Sequence, residues 1–294
     1  MEKQLKISFL IPETGVFTDN KNWLWWVYEE LTKECDLILN DCSEDCDYIV
    51  GMSISQTRRI EYLHSKYSQI PLITYNWDWF SFVDKTTSLW QKFTKLMEES
   101  RDVWTCSKDT ARLCEEKLGI PHHVIYCPAL PTEFKGEKKD SGYALMASRR
   151  DKYKGWDIFE GGCQELNIPF ISCHPSKYSR ERFIELISNC SLVVVASFEE
   201  SNATMSSIEG AFCKKPLLLS DIEANKECWG EEATYFKTGN LEDFKKQLKW
   251  LFENRNSQKI KLLTEKAYQK AMKEYTPKSM STAIIKRLNE IRQI

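Results

Sequence analysis

Apolar residues along this chain fall into two patterns that alternate. Short runs, apolar at nearly every position, lie at Leu5 to Ile11, Leu37 to Leu39, Tyr48 to Val50, Leu72 to Tyr75, Val103 to Cys106 and Val124 to Cys127. Between them, at Trp23 to Lys33, Ser55 to Tyr67, Lys85 to Glu98 and Lys108 to Leu118, apolar positions recur with helical spacing. The runs predict strands buried on both faces, as in a parallel sheet, and the periodic stretches predict the helices that cover it. Residues Pro128 to Ser141 then turn rich in proline, glycine and charge, the composition of a linker.

The alternation resumes beyond the linker. Strands are expected at Tyr143 to Ala147, Phe170 to Ser172, Leu192 to Ala196, Leu217 to Leu219 and Ala233 to Phe236, with helices at Trp156 to Leu166, Arg180 to Ser188, Ser206 to Cys213 and Leu241 to Glu253. From Ser257 onward the chain reads as helix, broken at Tyr275-Thr276-Pro277, because proline cannot sit inside a helix but suits its first turn. The fold class expected is therefore α/β with two Rossmann-like, doubly wound domains, residues 1–135 and 136–275, and a terminal helix over 276–294. A chain of 294 residues is long enough for two separate cores.

One stretch, Val193 to Asp221, carries a chemical signal. It reads as a buried strand, a polar loop and a helix starting near Met205, followed by another strand after Lys214-Lys215-Pro216. The first-turn N–H groups of such a helix have no partner within it, and its dipole places partial positive charge there, so the loop suits an anion. Thr204, Met205 and Ser206 stand at that entrance and Glu209 about one turn in. A lone carboxylate beside an anion site suits a ribose diol, which points to a nucleotide. A surface glutamate on the helix is the plain alternative.

Composition narrows the class. Residues 1–135 hold 15 Lys/Arg against 21 Asp/Glu, and residues 136–294 hold 26 against 22, so only the second half suits an anionic ligand. Eleven cysteines are scattered and odd in number; only Cys42 and Cys46 are close, without a paired CxxC or histidine cluster, so neither a disulfide framework nor zinc is expected. Reduced thiols, no apolar run long enough to span a membrane and no signal-like N-terminus lead to the expectation of a cytoplasmic protein.

Four stretches resemble the retaining glycosyltransferase family 4, within the GT-B glycosyltransferases. They are Arg101 to Phe134, the stretch Ala147 to Phe159 (ASRRDKYKGWDIF), the Val193 to Asp221 stretch, and Glu274 to Leu288 (EYTPKSMSTAIIKRL). The second is similar to the family's Gly-Arg-x-x-x-x-Lys-Gly motif, the third to its paired-glutamate motif, and the last to the start of its crossover helix. The resemblance implies a GT-B fold whose terminal helix returns to the first domain. It also implies a metal-independent hexosyl transfer with retention, a nucleoside diphosphate sugar (a UDP-sugar favoured) as co-substrate, and no cofactor.

By that resemblance Arg149 and Lys154 hold the donor pyrophosphate. Cations there stabilise the charge left on the departing nucleotide as the sugar–phosphate bond breaks. The adjacent Arg150 is an equal candidate on sequence, although Arg149 is favoured. The family's two glutamates lie eight apart, which places the first at Ser201; either Glu200 substitutes after a one-residue slip of the loop, or Ser201 and backbone amides hold the sugar. His174, after a strand, is a candidate for the base. In place of the family's glycine-rich first loop there is ETGVFTDNKN with Gly15 alone.

On the acceptor side, Trp23, Asn76, Trp77 and Trp79 follow or face strand ends where open α/β sheets bind ligands. Aromatic faces there stack on a sugar or base, or fill the core. Relatives place a His-Asp pair in this region; here Asp78 is the candidate for orienting the acceptor or taking its proton, a helix-capping aspartate being the alternative. The acceptor is open between glycan, lipid-linked sugar, small molecule and modified DNA base, the last as in phage glucosyltransferases. A non-catalytic nucleotide- or glycan-binding protein on a degenerate GT-B scaffold is the rival reading, supported by Ser201 and the missing histidine; an epimerase on the same fold finds no acid/base pair.

Overall fold

The computed structural model describes residues 4–12, 23–77, 84–134, 139–174 and 177–293. They divide into two compact units, one made of residues up to Tyr126 together with the segment from Pro277, the other running from Cys127 to Thr276. Each unit has its own parallel sheet, of six strands in the first and five in the second among the described residues.

In the first unit β1 (Lys6–Leu10), α1 (Trp23–Leu31), β2 (Asp36–Leu39), β3 (Tyr48–Gly51), α2 (Thr57–Lys66), β4 (Leu72–Asn76), α3 (Ser88–Glu99), β5 (Asp102–Thr105), α4 (Lys108–Leu118) and β6 (His123–Val124) follow in turn. The sheet order is β2-β1-β3-β4-β5-β6. Thr87 and Ser107 cap α3 and α4 with their hydroxyls, and Gly119 ends α4 in the left-handed conformation. The capping thus begins α3 three residues later than hydrophobic spacing predicts.

The second unit runs β7 (Ala144–Ala147), α5 (Trp156–Glu165), β8 (Phe170–Cys173), α6 (Arg180–Asn189), β9 (Leu192–Val195), α7 (Met205–Phe212), β10 (Leu217–Ser220), α8 (Glu223–Trp229), β11 (Thr234–Phe236), α9 (Leu241–Asn254) and α10 (Gln258–Glu274). Its order, β11-β10-β9-β7-β8, repeats the plan of the first sheet: the chain starts near the middle, steps to one side, then crosses back. β9 and β10 are buried at every position, as strands covered on both faces must be. Helix α8 has no counterpart in the sequence reading. It is only seven residues long, no side chain caps it, and its buried face of Ala224, Cys228 and Trp229 is interrupted by Asn225, whose amide donates to the Ser220 carbonyl at 2.9 Å.

Pro277 opens the last helix, α11 (Pro277–Arg292), which packs on α1 in the first unit. Ile284, Leu288 and Ile291 are its buried stripe; Arg287 forks onto Asp102 of β5 at 2.7 and 3.0 Å, and the Tyr48 hydroxyl donates to the Leu288 carbonyl. The chain leaves the first unit at Tyr126, ahead of the whole proline-rich stretch, Pro128 to Ser141, expected to join the two. Residues 127–134 belong to the second unit, where the Ala129 N–H donates to the Tyr275 carbonyl at 2.9 Å and the Phe134 ring lies 6.2 Å from that of Phe212. All eleven cysteines are buried free thiols. Burial pushes those of Cys35, Cys114 and Cys163 up to about 12, which keeps them neutral and apolar in behaviour. Among the described residues no helix is long and apolar enough to cross a membrane.

Candidate functional site

In the second sheet β7 and β9 are neighbours whose onward connections run to opposite sides, which makes the gap beyond their C-terminal ends the switch point where doubly wound sheets take ligands. Two loops leave the sheet there, residues 148–155 after β7 and residues 196–204 after β9. They are laced together. The Phe198 N–H donates to the Tyr153 carbonyl at 2.7 Å, and Gly155, at φ +70°, lies so close to β9 that a Cβ would stand 2.1 Å from the Ala196 carbonyl oxygen. Only glycine fits there, for both reasons.

Within this frame Lys154 Nζ donates to Glu200 Oε1 at 2.5 Å, and Ser197 Oγ donates to the same oxygen. Both charged side chains are almost closed to solvent, at 10% and 6% exposure. The carboxylate that meets Lys154 is thus Glu200, not a group at position 201. Ser201, next in the loop, is buried.

The two arginines that sequence leaves equivalent separate in the structure. Arg150 pairs with Glu160 at 2.5 Å and lies over the Trp156 ring at 4.4 Å; Glu160 is itself fixed by the Ser172 hydroxyl. Arg149 is the more exposed, donates to the Tyr153 hydroxyl at 2.9 Å and lies 3.3 Å from Asp151, while its carbonyl accepts from Trp156 Nε1. At the start of α7 the Thr204 hydroxyl caps the helix by accepting from the Ser207 N–H. Among the described residues the N–H groups of Met205 and Ser206 find no acceptor. His174 follows the last residue of β8, the strand beside β7, and its carbonyl accepts from the Lys177 N–H.

Glu209 is not the lone carboxylate that the sequence suggests. It is 2% exposed and its Oε1 lies 2.6 Å from Nη2 of Arg180, the first residue of α6. Arg180, 5% exposed, also donates to Glu133 through Nη2 at 2.5 Å and through Nε at 3.1 Å. Burial pushes the Glu209 carboxyl above its usual range, with Arg180 opposing. Burial disfavours charge on Arg180 too, but the two carboxylates outweigh it and hold the guanidinium above its ordinary value. Sequence reasoning missed Arg180. The available signal was a charged residue on the inward stripe of its helix, with Phe183, Leu186 and Ile187.

Of the acceptor candidates, Trp23 is buried edge-on against Trp77 at 5.0 Å and against Tyr75 at 6.5 Å, the packing of a core aromatic rather than an open platform. Asn76 is 1% exposed and its amide donates to the Cys114 thiol; Trp77 is half-buried beyond β4. Asp78 and Trp79 lie outside the described residues. Among the described residues no three His, Cys, Asp or Glu side chains converge as metal ligands would.

The sequence matches no protein-family model and no curated protein. Solved structures do match. A glycosyltransferase from Rickettsia africae has a TM-score of 0.72 at 14% identity, with 98% of each chain covered. HepE from Anabaena, in complex with UDP and glucose, has a TM-score of 0.75 at 12% identity, over 97% of this chain and 100% of that one. Sucrose-phosphate synthase from Thermosynechococcus elongatus has a TM-score of 0.73 at 10% identity, over 99% and 100%. The chain has the GT-B fold. At these identities the likeness speaks to fold, and the reading of the GT-B switch point depends on the side chains found there.

Proposed function

We propose that this chain is a retaining, metal-independent glycosyltransferase that moves a hexose from a nucleoside diphosphate sugar, with a UDP-sugar favoured, to an acceptor hydroxyl. The observation that carries the reading is the Lys154–Glu200 pair, set at the switch point of the second sheet beside the open first turn of α7. A buried cation and unpartnered helix N–H groups face where a pyrophosphate would bind. Anabaena HepE, of the same fold, is seen with UDP-glucose, which supports this choice of donor.

Roles follow from chemistry. Breaking the bond between sugar and phosphate leaves charge on the nucleoside diphosphate; Lys154, Arg149 and the amides of Met205 and Ser206 oppose that charge as it forms. Donor phosphate takes the place of Glu200 beside Lys154, and Glu200, so released, accepts from the sugar hydroxyls. Glu209 serves the ribose. Arg150, committed to Glu160 and Trp156, shapes the loop. Asp78 keeps the acceptor role assigned by sequence, and retention and metal independence rest on the resemblance to family 4.

The test is a thermal-shift panel of UDP, GDP, ADP and their glucose derivatives, followed by measurement of nucleoside diphosphate release with and without a chelator. One donor is expected to stabilise the protein by mass action and to be turned over in the presence of chelator. Binding without release or transfer overturns the catalytic reading in favour of a nucleotide-binding protein.

A further inference from the structure

Three segments of the second unit meet at a buried cluster of charge that a donor site does not by itself require. Glu133 lies in the short turn Pro131–Phe134, Arg180 opens α6, and Glu209 stands in the second turn of α7. We propose that Arg180 is a positioning residue of the donor site, holding the Glu209 carboxylate ionised and fixed for the ribose hydroxyls, while Glu133 shares the guanidinium and sets how strongly it does so. The inference rests on the donor-site reading above.

The geometry supports a fixed device. The Arg180 guanidinium lies between the rings of Phe134 and Phe183, 5.5 and 5.2 Å from their centroids, so it cannot turn to solvent without leaving both. Its Nη2 reaches a carboxylate on either side, Glu133 at 2.5 Å and Glu209 at 2.6 Å. Toward Glu209 the contact is a buried ion pair in which the charge of Arg180 counts ahead of the hydrogen bond.

At 2% exposure an isolated carboxylate takes up a proton sooner than stay charged. An ionised carboxylate can accept from both hydroxyls of a ribose diol, whereas the acid form presents a donor where an acceptor is needed. Donor affinity should therefore track the ionised fraction of Glu209. Burial raises that carboxyl, Arg180 lowers it and the charge of Glu133 raises it. Among the described residues Cys173 of β8 also feels the charge of Glu209. Its thiol, pushed up to about 11 by burial and then by Glu209, stays neutral across the working range.

Opposite changes to the triad should thus have opposite effects. The experiment is calorimetric titration of UDP-glucose from pH 4.5 to 8.5 into the full chain, the Arg180→Met, Arg180→Lys and Glu133→Gln variants, with thermal denaturation of each. UDP-glucose carries only phosphodiester charges, which do not titrate in this window. Wild-type affinity is expected to fall on an acid limb. Arg180→Met should move that limb to higher pH by about one to three units, Arg180→Lys by less, and Glu133→Gln should move it to lower pH. A purely structural role lowers stability or affinity at all pH values and leaves the limb where it is, which overturns the proposal. If Arg180→Met does not fold, the opposed shifts of Arg180→Lys and Glu133→Gln decide. Absence of binding by the wild type to UDP-, GDP- and ADP-glucose alike would overturn the donor-site reading instead.

Discussion

Lys154 and Glu200, 46 positions apart in sequence, meet at 2.5 Å with almost no solvent around them. Two loops from adjacent strands are needed to bring them together. A pair buried this far resists the loss of one member more than the loss of both, because the survivor is left charged without a counterion.

Lys154→Ala is therefore expected to lower donor turnover by about a hundredfold or more, by analogy with removal of a transition-state charge contact. The change should also lower stability, by up to about 3–5 kcal/mol. Adding Glu200→Gln should recover much of the stability and none of the turnover. Denaturant unfolding and initial rates on both variants check this; full turnover by Lys154→Ala would remove the residue from the donor site.

Gly155 and Gly119 both sit at φ +70°, but only Gly155 is crowded. Gly119→Ala should cost about 1–2 kcal/mol, the strain of a left-handed residue alone. Gly155→Ala should cost distinctly more and weaken donor binding, because the Ala196 carbonyl 2.1 Å away has to shift and the two laced loops shift with it. Equal melting temperatures for the two variants would contradict the contact.

The arginine pair should divide by role. Arg149→Ala is expected to raise donor KM and lower kcat, whereas Arg150→Ala, which loses only the ties to Glu160 and Trp156, should change kcat by little. Steady-state kinetics on the two single variants distinguish them, and a larger kcat loss in Arg150→Ala would reverse the assignment.

Acid should loosen the first unit through His122 and His123. Burial lowers both below the ordinary imidazole value, and His122 donates from Nδ1 to the Ile120 carbonyl in its neutral form. The unfolded chain binds protons first, so the stability these groups contribute is whole above about pH 6.5 and is lost as pH falls below it. Melting temperature should therefore drop between pH 7 and 5, and the His122→Gln/His123→Gln variant should show a flatter slope over that range.

Both sheets were legible in the sequence because strands covered on two faces leave runs such as Leu192 to Val195, which resemble little else. The helix break at Pro277 was legible for an equally local reason. What escaped was non-local. Arg180 looks like any charged helix-opening residue until Glu133, 47 positions earlier, and Glu209, on another helix, are seen around it. That Glu200 rather than Ser201 meets Lys154 was also hidden, because position within an irregular loop leaves no periodic trace. Arg149 and Arg150 could not be told apart because their difference lies wholly in the neighbours Tyr153 and Glu160.

The described part of the first unit is built from chain on either side of residues 127–276, and its α1 is covered by α11. On the ribosome, residues 277–293 emerge only after residues 127–276 have been made. At 5–20 residues per second that is a wait of roughly ten to thirty seconds. Through that interval, while the chain of the second unit is being made, the nascent first unit lacks the helix that covers α1 and satisfies Asp102. The unit begun first is thus the one completed last.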